Sequence, residues 1–313
     1  MLVTLASLRL DRQLETLSHR TLTLIVSASV VLTAAGFDEA LTLSVVDEAS
    51  SSSMSPWTDA EPLRSLMPVI RGADCLRRSL VPSLLAARRT NEALANSDIE
   101  LFEIAKIYLP QDAELPREEV MLGITSGRDY ATVKGVVETI LAELKVTIPL
   151  EAGDADIAVL DPADSCRLHV GGDMLGYVGK LNQDAIRRFD LRGETVVAEI
   201  RLAPLVEEAN LVPRCVAQSP YPAVARDLNL VEDESVRWAD IAATVRQHGG
   251  PCFESLDYRD TYRDAKRLGD KKSLLFSIAL RSPDGTLTSQ QADEVRDRIV
   301  AACKAKYGAE LRV

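Results

Sequence analysis

Histidine and cysteine are sparse and scattered in this chain of 313 residues. The three histidines, His19, His169 and His248, stand far apart and match no zinc-ligand spacing. The five cysteines, Cys75, Cys166, Cys215, Cys252 and Cys303, form no C-x-x-C pair. Their number is odd, which fits reduced thiols in a cytoplasmic protein better than a disulfide framework. Neither a P-loop nor a G-x-G-x-x-G turn occurs, so two common nucleotide cradles are excluded. The longest apolar run, residues 22–35, is short for a membrane span and rich in serine and threonine. No basic segment followed by a small-residue cleavage site precedes the chain's core. The run reads as a helix of a soluble protein.

Basic charge is also in short supply. The chain carries 36 Lys and Arg against 47 Asp and Glu, a formal net charge of −11. The deficit is local: residues 1–217 hold 21 basic and 32 acidic side chains, whereas residues 218–313 hold 15 of each. An acidic surface repels a phosphate backbone, so any contact with nucleic acid belongs to the last third, where the cations must be clustered. Hydrophobic content of 46% and charged content of 27% are ordinary for a globular protein, and the length allows two domains.

The last third carries the clearest pattern. Residues 224–231 alternate as a strand. Trp238, Ile241, Ala242 and Val245 then fall at helical spacing, with Ser235 at the expected N-cap and Gly249-Gly250-Pro251 as the stop. Residues 253–262 form a second strand, and residues 263–272 a charged loop. Residues 273–281 form a third strand, with Leu274, Phe276, Ile278 and Leu280 on one face. After the turn at Pro283-Asp284-Gly285, Thr288 and Gln291 make a capping box. It opens a helix with Ala292, Val295, Ile299 and Cys303 on one side, and residues 310–313 add a last short strand. The order βαββαβ predicts a ferredoxin-like sheet with both helices on one face and the other face open. RNA-binding modules use such sheets as platforms.

Specific residues in this stretch carry a resemblance. Pro222-Ala223-Val224 with Arg226-Asp227-Leu228, then Glu254-Ser255-Leu256 with Asp260 and Tyr262, then Lys272-Ser273-Leu274 resemble the ferredoxin-fold anticodon-binding domain that ends bacterial phenylalanyl-tRNA synthetase beta subunits. The resemblance covers residues 219–313.

The front of the chain is similar to the module that precedes that domain in the same family. A helix ending at Gly36-Phe37, followed by a strand over residues 41–46, resembles the first motif of class II synthetases, an element that builds subunit interfaces. Residues 50–53, four serines except for Met54 beyond them, read as a surface loop. Residues 76–85 (LRRSLVPSLL) resemble a family helix, with Asn91 further along it, and also read as an amphipathic helix with Pro82 in its first turn. Leu101-Phe102-Glu103-Ile104-Ala105 resembles a buried family strand, with Ala105 where glycine is expected. Residues 120–125 form a strand and residues 129–144 a helix resembling the family's "D-x-K-G-x-V-E" segment. Residues 176–181 resemble its glycine hairpin, with Asn182-Gln183 in place of His-Pro. Residues 196–202 form a final strand; a linker starts near Leu205, and Pro213 and Pro220 separate the domains.

The resemblance implies an α+β chain: a class II synthetase-like antiparallel sheet with helices over residues 30–205, a linker at 206–218, the ferredoxin-like domain at 219–313, and a divergent segment at 1–29, where Leu8, Leu10, Leu14 and Leu17 are loosely helical. Active class II enzymes need one arginine on the ATP α-phosphate and another after a glycine-rich strand, because a planar guanidinium binds phosphate through two hydrogen bonds. Neither motif is present: no Glu-Arg follows Gly171-Gly172 or Gly176/Gly179, and no arginine directly precedes Phe102-Glu103. The chain alone is therefore expected to be inactive in amino-acid activation, with no catalytic or metal residue. ATP and Mg2+ would serve the holoenzyme, a heterotetramer of two alpha and two beta subunits, and tRNA(Phe) would be the nucleic-acid partner. A full family subunit carries further modules, so the chain resembles its C-terminal part, as a fragment, a split gene product or a product of a misplaced start. Phe37, Leu41, Leu43 and Val45 are the expected subunit interface. Arg226, Arg259, Arg263, Lys271, Lys272, Arg281 and Tyr221 are the expected tRNA contacts, although Arg226 also reads as a local salt bridge and the 263–272 cluster as a solvated loop. Tyr221, Tyr258 and Tyr262 offer rings on which bases can stack, but Tyr258 and Tyr262 share parity with Leu256 and read rather as core. A free-standing RNA-binding or regulatory module derived from the subunit is the alternative, and a large apolar patch on the first domain would distinguish the two.

Overall fold

The computed structural model describes residues 18–68, 70–111, 115–212 and 219–312. These fall into two compact units, one within residues 1–213 and one within 214–313. The leucines before residue 18, and Pro213 and Cys215, lie outside the described residues.

In the first unit a helix, α1 (His19–Ala34), starts at Ser18, whose side chain accepts the Thr21 amide. Its buried Leu24, Ala28 and Leu32 are part of the main core, so the boundary expected at residue 30 falls inside an integral helix. The strands are β1 (Asp38–Glu39), β4 (Leu101–Leu109), β5 (Arg117–Ser126), β6 (Leu150–Gly153), β7 (Leu160–Val170), β8 (Asp173–Leu181) and β9 (Val196–Arg201), with a separate pair of β2 (Val45–Val46) and β3 (Cys75–Leu76). The large sheet runs in the order β1-β4-β5-β9-β8-β7-β6. Its pairs are antiparallel except β1 with β4, which is parallel. The helices α4 (Tyr130–Glu143) and α6 (Leu202–Glu208) join α1 over one face, through Val133, Val137, Ile140 and Leu205. Against the other face lie α2 (Glu48–Ser53), α3 (Val81–Ala93) and α5 (Gln183–Arg188), around Met54, Leu85, Ala185, Leu80 and Leu84. Both faces are covered, which is why β5 and β9 read as near-continuous apolar runs.

Local chemistry sets most helix starts. Asp129 accepts the Thr132 amide at 2.8 Å, Asn182 accepts the Ala185 amide at 2.9 Å, and Pro82 sits in the first turn of α3. Gly171 and Gly172, at φ of 61° and 88°, make the turn between β7 and β8.

Three expectations are overturned here. Residues 41–46 do not form one strand: β1 ends at Glu39 and β2 starts at Val45. Between them the Thr42 amide and hydroxyl are taken by the Glu103 carboxylate, at 3.1 and 2.6 Å, so no strand partner is needed. The serines at 50–53 form helix α2, not a loop, because Asp47 caps the Ser50 amide at 2.7 Å and Ser51 and Ser53 are buried. Tertiary burial overrides their weak helix propensity. Residues 202–208 are helix α6, whose Leu205 is in the core, so the linker begins later than Leu205.

The second unit is a four-stranded antiparallel sheet of β10 (Val224–Asp233), β11 (Phe253–Arg263), β12 (Lys271–Leu280) and β13 (Glu310–Leu311), in the order β11-β12-β10-β13. The helices α7 (Trp238–Gly249) and α9 (Ser289–Tyr307) cover one face around Leu228, Leu230, Ile241, Phe276, Ile278, Ile299 and Cys303. This is the βαββαβ order read from the sequence. The Thr288/Gln291 capping box is present, and Gly308 ends α9 in the left-handed region at φ 67°. Two details differ. Ser235 is not the N-cap: its hydroxyl donates to Asp233 at 2.6 Å, while the Asp240 carboxylate reaches back to the Arg237 amide at 3.2 Å. The charged segment 263–272 is not all loop: Asp264 caps a short helix, α8 (Ala265–Leu268), and Lys271 and Lys272 already belong to β12.

Candidate functional site

The uncovered face of the second sheet owes its composition to a bulge. Leu256 and Tyr258 pair with Ile278 and Phe276, on the helix-covered side. The register then slips between Tyr258 and Asp260. Beyond the slip, Asp260 pairs with Leu275 and Tyr262 with Ser273, so Asp260 and Tyr262 emerge on the open side. Tyr262 is therefore 42% exposed and not core, contrary to its parity with Leu256. Tyr258 remains on the helix side but is also exposed, edge-on to Trp238 at 5.6 Å between ring centres.

Around Tyr262 lies a shallow depression of about 550 Å³, lined by Asn229, Asp260, Arg267, Ser273, Leu275 and Arg312. The Arg312 guanidinium stands 5.9 Å from the Tyr262 ring centre, and the Arg312 amide donates to the Asn229 carbonyl at 2.8 Å. The Tyr262 hydroxyl donates to Asp264 at 2.8 Å, which fixes the ring and raises the phenol's pKa above its usual range. Ser273 donates to the Asn229 side chain at 2.5 Å. One flat ring, two arginines and a row of short polar groups thus face outward from a rigid sheet.

The expected tRNA contacts divide sharply. Arg259 is exposed on the open face, where its Nε donates to Ser277 at 3.1 Å, and Lys271 is exposed at the start of β12. Arg226 lies on the other side, ion-paired with Asp293 of α9 at 2.9 Å rather than with Asp227. Lys272 is also on that side: it is buried and donates to the Glu234 carbonyl at 2.9 Å, so it is not a surface cation. Arg263 is exposed but forked onto Glu234, and Arg281 is held by Glu254 at 2.8 Å and the Tyr221 carbonyl at 2.7 Å. The Tyr221 backbone thus serves as an anchor. Asp260, Arg267, Ser273 and Arg312 were not among the expected contacts, and the bulge that brings Asp260 and Tyr262 to the open side leaves no sign in strict alternation.

In the first unit, the face of β9 under α2, α3 and α5 centres on a fully buried carboxylate. Glu199 accepts from Trp57 Nε1 at 2.7 Å, Ser79 Oγ at 2.9 Å, the Leu80 amide at 2.5 Å and the Tyr177 hydroxyl at 3.1 Å. Burial pushes its pKa up while the four donors pull it down. Trp57, Tyr177 and Met54 pack together over this face. Nearby, the buried Arg77 and Glu103 side chains pair at 3.1 Å.

Apolar surface lies elsewhere on this unit. Val26 and Val30 of α1 are each 62% exposed beside a groove of about 540 Å³ shared with Val31, Ala34 and Val136. Leu41 and Leu43 are exposed, and Val45 is half-buried. Phe37 departs from the expectation of an interface residue: it is 2% exposed, inside the unit's own core, with the Arg128 guanidinium 5.0 Å from its ring centre.

Among the described residues no cluster of His, Cys, Asp and Glu could hold a metal ion, and no helix is long and apolar enough to cross a membrane. Residues 13–202 match the sequence model of the phenylalanyl tRNA synthetase beta chain CLM domain, and residues 219–312 that of the ferredoxin-fold anticodon binding domain. The phenylalanine–tRNA ligase beta subunit of Rhodopirellula baltica is 38% identical over 293 residues, covering 90% of this chain and 43% of the relative. That of Clostridium tetani is 31% identical over 241 residues, covering 76% of this chain and 30% of the relative. The crystal structure of pyrrolysyl-tRNA synthetase from Desulfitobacterium hafniense superposes with a TM-score of 0.48 at 21% identity, covering 63% of this chain and 73% of that one. The chain spans less than half the length of these curated relatives. With both units matched in order, the chain belongs to the phenylalanyl-tRNA synthetase beta chain family.

Proposed function

We propose that this chain serves phenylalanyl-tRNA formation in the cytoplasm with the role of a beta subunit. In that role its second unit holds the anticodon stem-loop of tRNA(Phe), and its first unit docks an alpha subunit that carries the ATP- and Mg2+-dependent chemistry, two of each chain making the heterotetramer. The observation that carries this reading is the groove around Tyr262. A base laid on the Tyr262 ring gains stacking that every base can offer. Asp260 and Asn229 offer acceptors to a base edge, and Arg259, Arg267 and Arg312 offer charge to the flanking phosphates. The first unit's contribution is a scaffold: the buried Glu199 network fills the sheet face, while Val26, Val30, Leu41 and Leu43 remain outside as apolar docking surface.

The test is tRNA(Phe) binding by the full chain across a salt titration. Tyr262→Ala should weaken binding about 5- to 150-fold, the equivalent of roughly 1–3 kcal/mol of lost stacking, and leave the salt slope unchanged. Arg312→Ala should lower the slope by about 0.7 to 0.9. Unchanged affinity in both variants would refute this site.

A further inference from the structure

Glu232 is the one residue among those described whose two carboxylate oxygens are both buried without a hydrogen-bond partner. It is 0% exposed and lies on β10 with the parity of Leu228 and Leu230, facing the helices rather than the open groove. Opposite it in register is Lys272 of β12, but the Lys272 ammonium is spent on the Glu234 carbonyl at 2.9 Å. The other titratable groups facing this corner are Asp240 from α7, Glu234 from the turn after β10, and Cys303 from α9 with Lys306 beyond it. Asp240 and Glu234 repel a second negative charge, and Lys272 alone attracts it. A buried carboxylate that accepts nothing is tolerated far better as the neutral acid than as the anion.

We propose that Glu232 is a proton-operated latch of the second unit, neutral when sheet and helices are closed and loosening their contact when it ionises. Burial raises its pKa from the ordinary 4.5 to about 7, and the same corner pushes the Cys303 thiol up to about 11. The folded value lies above the unfolded one, so the stabilisation is complete below pH 4.5 and is lost as pH rises through about 7. Across that window the folding equilibrium constant of this unit should fall by up to about 300-fold, the displacement of about 2.5 pH units expressed as a ratio. Glu232 and the groove lie on opposite faces of the sheet, so the carboxyl is not part of the groove's lining.

The experiment is carbon-13 NMR of glutamate-labelled full chain from pH 4 to 9, alongside hydrogen exchange of the α9 amides over the same range. Expected are one carboxyl titrating near pH 7, absent in Glu232→Gln, and α9 protection that declines above neutrality in the wild type but not in Glu232→Gln. Lys272→Met should move the midpoint higher, since it removes the one attracting cation. Should Glu232→Gln fail to fold, the wild-type titration and the Lys272→Met shift still decide. A wild type with no carboxyl near pH 7 that Glu232→Gln removes, or α9 protection with the same pH slope in wild type and Glu232→Gln, would overturn the proposal.

Discussion

Replacing Glu103 by alanine tests whether the buried ion pair of the first unit holds the segment between β1 and β2 in place. The Arg77 and Glu103 side chains are 3% and 2% exposed and meet at 3.1 Å. Glu103 also accepts the Thr42 amide and hydroxyl, across 61 residues of sequence. Without Glu103 the guanidinium stays buried as an uncompensated charge, a change that typically costs about 3–5 kcal/mol. Arg77 keeps the Lys106 carbonyl at 2.9 Å and the Thr42 hydroxyl at 2.8 Å, so the lower end applies. The expected loss is about 3 kcal/mol, or roughly a hundredfold in the folding constant. Removing both charges, as Arg77→Met with Glu103→Leu, should cost less than Glu103→Ala alone. The chain has two tryptophans, Trp57 in the first unit and Trp238 in the second. In a Trp238→Phe background, urea unfolding followed by Trp57 fluorescence therefore reports on the first unit. Faster hydrogen exchange at Thr42 should accompany the loss. A single variant within about 1 kcal/mol of wild type, or a double variant worse than the single, would refute the reasoning.

Gly176→Ala should destabilise the first unit by about 3 kcal/mol in the same assay, because an added Cβ would lie 2.2 Å from the Glu199 carbonyl oxygen, a backbone atom that cannot move aside cheaply. Val30→Glu should leave helical content in circular dichroism unchanged but reduce capture of an alpha subunit in a pull-down by tenfold or more, because Val30 is exposed here and would be desolvated in a docked complex.

The sequence alone determined whatever depends on neighbours a few residues apart. The Thr288/Gln291 box closes over three residues, and Leu274, Phe276, Ile278 and Leu280 declare their common face by period two. With turns at glycine and proline, such signals order the second unit as βαββαβ and leave one sheet face open. In the front of the chain, family motifs marked the helix over residues 129–144 and the strand at 101–105, and the strand at 196–202 was legible as well, but not the segments around residues 41–53. The tertiary structure decided what depends on partners far away in sequence. The bulge opposite β12 turns Tyr262 outward, although the alternation of β11 places it inside. Glu103 takes Thr42 out of a strand that residues 41–46 would otherwise extend, and burial makes a helix of the serines in α2. Lys272 looks like its neighbour Lys271, yet one is exposed and the other is sealed under the helices beside Glu232. The physical reason is that hydrogen-bond satisfaction and desolvation are summed over three-dimensional neighbours, and a linear pattern records only those within a turn or a strand's pleat.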